Sequence, residues 1–237
     1  AKGVPCFDIV GLPGTAVKES RERVRSALKN CGFAYPTGRI TMNLAPADKK
    51  KDGPLYDLPL LMALLKATGQ LQAETDDSVF IGELSLSGEI RPVLGALPMA
   101  IAARKAGFRR LFVPAANAKE AAVVDGIEIY PVSGVRELVD FLRGRGQLPT
   151  ATFSPTQGDD TAEALLDFAD VRGQLEAKRA LEIAASGGHN VLLIGPPGSG
   201  KSMLAKRLPS ILPEMTMEEM LETTEIHSIA GTIPHGG

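Results

Sequence analysis

The chain has 237 residues, 44% hydrophobic and 23% charged, with 26 Lys+Arg against 28 Asp+Glu and a net charge of −2. That length provides one large domain or two modest ones, each able to bury a core, and the composition excludes both a disordered chain and a uniformly basic nucleic-acid binder. Two cysteines, Cys6 and Cys31, stand in no CxxC pattern and cannot make a disulfide framework; they read as reduced, buried thiols. No apolar run approaches the ~18 residues of a membrane span, since the longest, residues 58–65, is short and carries Pro59. With Ala1 at the start, no signal-peptide pattern and no element closing at Gly237, the chain reads as a cytoplasmic fragment cut at both ends.

Short β-rich runs at 8–10, 39–44, 79–84, 110–113 and 127–130 alternate with helical segments, which predicts an α/β or α+β unit. The helix expected over residues 15–31 aligns Val17, Val24, Ala27 and Leu28 on one stripe and leaves Lys18, Arg21, Arg25 and Lys29 towards solvent. This basic face is either a solvated surface balanced by Glu19 and Glu22 or a contact for phosphates or a partner. Lys49-Lys50-Lys51 sits in a loop between Asp48 and Asp52. A polar, Gly/Pro-containing stretch over 145–160 reads as a linker between domains 1–144 and 161–237. The charge divides there as well: residues 1–150 hold 20 basic and 16 acidic side chains, net +4, and residues 151–237 hold 6 and 12, net −6.

The second unit opens with a helix over 172–186, lined by Leu175, Ala180, Leu181 and Ala184, and Val191-Leu192-Leu193-Ile194 then reads as a buried parallel strand. Next comes Gly195-Pro196-Pro197-Gly198-Ser199-Gly200-Lys201-Ser202, leading into a helix that Pro209 interrupts. This is G-x-x-x-x-G-K-[ST] in its strand–loop–helix context. Gly198 and Gly200 let the backbone curl with its N–H groups inward at a helix N-terminus, an anion-binding concavity. Lys201 would reach the β and γ phosphates of ATP, and the Ser202 hydroxyl would hold Mg²⁺. No apolar run ending in Asp-Glu follows between Ser202 and Gly237, where residues 214–227 read as a Met/Glu-rich helix. The fragment is therefore expected to bind nucleotide weakly and turn over little or none. His189, His227 and His235 have no metal-ligand spacing.

Three stretches together carry a resemblance: residues 11–25, beginning Gly11-Leu12-Pro13-Gly14; the box Asp170-Val171-Arg172-Gly173-Gln174; and the phosphate loop. They resemble the ComM/YifB-type magnesium-chelatase-like AAA+ ATPases over essentially the whole chain. The resemblance implies a Lon-protease-like domain of the ribosomal-protein-S5 domain-2-like fold, followed by the start of a P-loop NTPase (AAA+) module with Val171 beside the adenine. Lon proteases carry their nucleophilic Ser and catalytic Lys where this chain has Leu55 and Pro98, so no peptidase is expected. The resemblance further implies an ATP hydrolase in a homo-oligomeric ring, a hexamer, acting on DNA as a branch-migration helicase in natural transformation. A magnesium-chelatase motor subunit and a nucleotide-dependent interaction module are the alternatives.

Overall fold

The computed structural model describes residues 6–153 and 166–233. The later part of the expected linker, the start of the expected second domain at 161, and His235 lie outside the described residues. The chain divides into two compact units: residues 1–153 together with 222–237, and residues 154–221.

In the first unit, strand β1 (Cys6–Val10) runs into helix α1 (Thr15–Asn30) and returns parallel to itself as β2 (Arg39–Asn43), with Phe7 opposite Ile40 and Val10 opposite Asn43. Parallel neighbours need such a crossover, and α1 provides it. The stripe read from the sequence is the buried one: Val17, Val24, Ala27 and Leu28 face inward, joined by Ser20. Helix α2 (Asp57–Ala67) buries six apolar side chains on every side and forms the centre of the core. At 11 residues it is about 16 Å long, so the apolar run over 58–65 is an ordinary core helix. No helix among the described residues is long and apolar enough to cross a membrane.

Strand β3 (Ser78–Phe80) opens a second parallel sheet of order β3-β6-β7, with β6 (Arg110–Pro114) central and β7 (Glu128–Val132) at one side. The run expected at 79–84 is broken in two, because Gly82 (φ +158°) separates β3 from β4 (Glu83–Leu84). β4 pairs antiparallel with β5 (Ile90–Arg91) in a small hairpin. Helices α3 (Ala96–Lys105), α4 (Ala118–Ala121) and α5 (Val135–Leu142) complete this unit. Phe112 of β6 is fully buried and stacks on Phe80 and Tyr130 at centroid distances of 4.9 and 5.1 Å. Across the sheet edge Arg110 clamps Asp77 at 2.6 Å, which holds that carboxyl below its usual range. Cys31 is buried, which raises its thiol pKa, but Cys6 is exposed on the first residue of β1, beside Asp8. The expectation of two buried thiols therefore fails for Cys6. A strand terminus turns alternate residues outward, and Cys6 lies on that face.

In the second unit helix α6 (Leu175–Gly187) and helix α7 (Lys201–Arg207) enclose a small core of Phe168, Val171, Leu181 and Leu204. The inward stripe of α6 is Ala177, Leu181, Ala184 and Ala185, and the expected Leu175 and Ala180 are exposed. Six residues of helix separate Leu175 from Leu181, a rotation that carries it to a different side. Pro209 ends α7, and residues 208–211 continue as a 3₁₀ turn. The buried strand expected at 191–194 is absent: among the described residues it pairs with nothing, and Leu192 and Ile194 are 81% and 86% exposed. Only Leu193 packs inward. A strand becomes regular by hydrogen bonding to a neighbour, and no other strand lies among the described residues of this unit. Helix α8 (Met217–Ala230) is closed at its start by Thr216 and Glu219 in a reciprocal capping box. From Glu222 onward it belongs to the first unit, where the Gly95 N–H donates to Ser228 O at 3.2 Å and the Ser228 hydroxyl donates to Glu120.

Candidate functional site

The loop over residues 195–200 is fixed at both sides. Gly198 and Gly200 take φ of +81° and +86°, conformations that L side chains rarely adopt, so the two glycines of the motif are required by the backbone path itself. At Gly195 a Cβ would come within 3.0 Å of Ser199 Oγ, so the loop closes on itself there. The Ser199 N–H donates to Pro196 O at 3.3 Å in the turn, and the Leu204 N–H donates to Gly200 O as α7 begins. From α7, Leu204 enters the core beside Val171 and Leu181 and so anchors the helix on which Lys201 and Ser202 stand.

Lys201 folds back over the loop. Its ammonium donates to Gly195 O at 2.7 Å, Pro196 O at 2.8 Å and Ser199 Oγ at 3.3 Å. Three neutral oxygens thus share one cation. Charged oxygens make hydrogen bonds of roughly twice that strength, and phosphate oxygens are suited to replace these acceptors. Ser202, next in the helix, is exposed. Among the described residues no group of three or more His, Cys, Asp or Glu could hold a metal ion.

The Asp170–Gln174 box touches the loop through residues that the sequence alone does not single out. Gln174, in a left-handed conformation (φ +56°), donates from Nε2 to Ser199 O at 3.4 Å. Arg207 at the far end of α7 sits 4.0 Å from Asp170, its Nε buried without a hydrogen-bond partner among the described residues. Val171 itself is only 3% exposed and is a core residue under the loop, offering almost no surface to a ligand. The sequence signal for these roles is the spacing of the box from the loop, which the fold closes through α6.

In the first unit Leu55 lies in the 3₁₀ turn Pro54–Tyr56 that leads into α2, with its carbonyl accepting the Gly82 N–H, and Pro98 lies in the first turn of α3. Elsewhere in this unit Ser85 Oγ is 2.8 Å from Ser87 Oγ and accepts the Glu89 N–H, and Lys66 Nζ donates to Thr75 Oγ1 at 2.8 Å. Lys51, one of three consecutive lysines, is buried, and its ammonium donates to Pro46 O. Its backbone pairs with the Gly11–Gly14 turn, Gly14 N–H to Lys51 O at 2.7 Å and Lys51 N–H to Leu12 O at 3.1 Å, so its role is to seat that turn. His227 shares a 2.7 Å hydrogen bond with Thr232, and among the described residues neither it nor His189 belongs to a metal cluster.

The family described as subunit ChlI of Mg-chelatase matches residues 1–117, and that described as magnesium chelatase, subunit ChlI, matches residues 167–236. Competence protein ComM of Haemophilus influenzae is 45% identical over 97% of this chain and 45% of its own, and YifB of Escherichia coli, an uncharacterised protein, is 46% identical over 97% and 45%. The chain belongs to the ComM/YifB-type, magnesium-chelatase-like family. It spans about half the length of the curated ComM and YifB relatives it matches. An archaeal Lon protease from Methanothermobacter thermautotrophicus is 35% identical over 98 residues, 40% of this chain and 15% of that protein. In this ComM/YifB-type chain the parallel sheets and crossover helices of the first unit thus come with Lon-like sequence.

Proposed function

We propose that this chain is the Lon-like domain and nucleotide-binding front of an ATP-hydrolysing AAA+ motor that works on DNA in the cytoplasm, as a homo-oligomeric ring of hexameric type. The observation that carries the nucleotide part is the Lys201 ammonium held over a loop whose glycines at 198 and 200 need positive φ. In this reading Gly195, Pro196, Pro197, Gly198, Ser199 and Gly200 wrap the β phosphate, the backbone N–H groups coming from the four non-proline residues, and Lys201 turns from its carbonyls to the β and γ oxygens. Ser202 holds Mg²⁺, which would neutralise charge between the phosphates. Val171, expected beside the adenine, acts in this reading through the core of Phe168, Leu181 and Leu204 on which α7 is anchored and not as a surface for the base. The DNA part is supported by similarity to ComM, a protein named for competence.

Catalysis by residues 1–237 should be slow or undetectable, because no apolar strand ending in acid follows Ser202 in this sequence to poise water. Peptide cleavage is not expected: a Ser-Lys mechanism needs a hydroxyl and an amine, and Leu55 and Pro98 offer neither. The test is fluorescent ATP-analogue binding with Mg²⁺. The chain should bind, and Lys201→Ala should weaken binding at least about tenfold, the loss of ~1.4 kcal/mol or more expected for a charge-assisted contact. Equal affinity in the variant would refute the site.

A further inference from the structure

Two hollows of about 560 and 370 Å³ lie on the first unit and have Phe7 and Arg21 in common, so they are neighbours beside β1, and the two together are called the trough below. Lys18, Arg21 and Arg39 line the first, with the Thr41 hydroxyl; Arg21, Arg25 and the Tyr35 ring line the second. All four cations are exposed. On a helix rising 1.5 Å per residue, Lys18, Arg21 and Arg25 project at steps of about 4.5–6 Å, comparable with the step between successive phosphates on an extended strand.

The carboxylates in the trough are fewer. Arg39 meets Asp8 at 3.3 Å and Arg21 meets Glu22 at 3.1 Å, both pairs being about half exposed. Exposed pairs of this kind hold about 1 kcal/mol or less and are readily exchanged for a phosphate, which guanidinium binds bidentately. Tyr35 is half-buried and so held in place, with the Arg25 guanidinium 5.5 Å over its ring. Cations at backbone spacing beside a fixed aromatic face are the components of a surface that tracks one strand and stacks its bases. An acidic peptide would use the cations but not the ring face.

We propose that this trough binds the backbone of single-stranded DNA. The inference rests on the reading of the protein as a DNA-acting motor and names the surface that holds the strand. It is tested with the chain of residues 1–237 and fluorescein-labelled oligothymidylate, by anisotropy across a salt series. The wild-type chain should bind at low salt, with log K falling against log salt with a slope of about −2 to −3 for three to four phosphate contacts. The Arg21→Ala/Arg25→Ala variant should lose about 1.4 from that slope and bind about tenfold more weakly, while Lys105→Ala/Arg109→Ala, outside the trough, should match the wild type. Circular dichroism of each variant checks that the fold is retained. If the wild-type chain binds no DNA at low salt, the DNA reading itself falls. If it binds and the Arg21/Arg25 variant is unchanged, the trough is overturned and the reading stands. Preference for duplex, or for polyglutamate competing at the same residues, likewise overturns the assignment to a single strand.

Discussion

Arg23 and Arg21 are two residues apart on α1 and have opposite fates. Arg21 faces solvent, whereas Arg23 turns inward to Asp57, donating from Nε at 2.5 Å and from Nη2 at 3.0 Å. The same guanidinium also donates to Ala16 O and Ser20 Oγ. The Asp57 side chain is 0% exposed and additionally accepts the Leu84 N–H, so one carboxylate ties α1, α2 and β4 together. The hydrogen bond to Asp57 raises the guanidinium's pKa against the opposing effect of burial. Removing one partner of a buried pair strands the other, and Asp57→Asn should cost about 3 kcal/mol of stability, read as a lower urea midpoint with unchanged slope. Arg23→Met/Asp57→Leu should not restore the loss, because the Leu84 N–H would then lack its acceptor. Helical period leaves Arg23 off the solvent face of Lys18, Arg21, Arg25 and Lys29 but does not name its partner. Its pairing depends on a residue 34 positions away, a contact that helical periodicity does not encode.

At the scale of elements, local patterns set most boundaries and failed where an element depends on a neighbour. Helix α1 begins and ends within a residue of its expectation, since its apolar stripe runs at helical period throughout. The segment 191–194 has the composition of a strand, but strand geometry is completed by pairing, and its partner is not among the described residues. The turn from β1 into α1 is the tightest approach in this unit. A Cβ at Gly11 would lie 2.1 Å from Leu44 O, at φ +99°. At Gly69, after α2, the φ of +71° is similar but nothing lies within 4 Å. Gly69→Ala should therefore cost only the left-handed penalty of about 1–2 kcal/mol. Gly11→Ala should cost clearly more, because the backbone of β2's end must move. Thermal melts of the two variants side by side check the difference, and equal costs would mean that the turn adapts.

For the whole molecule, the net charge of −2 conceals a first part at +4 and a second at −6, and the structure divides the described chain into two compact units. The phosphate loop, Lys201 and the core of Phe168, Val171, Leu181 and Leu204 all belong to the second unit. A ligand that binds only the folded form stabilises what it touches. Hydrogen exchange with Mg²⁺ and ATP should accordingly show new protection over residues 195–207 and the box at 170–174. The strands β3, β6 and β7 of the first unit should exchange as before. Protection spread evenly over both units would contradict a site confined to this loop.

The sequence by itself determined the glycine loop over 195–202 that we propose binds phosphate, because its glycines, lysine and serine are adjacent in the chain and their conformations are local. It also determined the stripe of α1 and, through motifs that stay together along the chain, the ComM/YifB-type family. Tertiary structure alone decided that Lys51 and Arg23 are turned inward while Arg21 and Arg25 face the trough, and that Val171 is core. It alone brought Gln174 to Ser199 and Arg207 towards Asp170. The physical reason is range. Backbone torsions and periodicity act over a few residues, but the burial of a charge and the pairing of a strand are fixed by groups that approach only when the chain has folded.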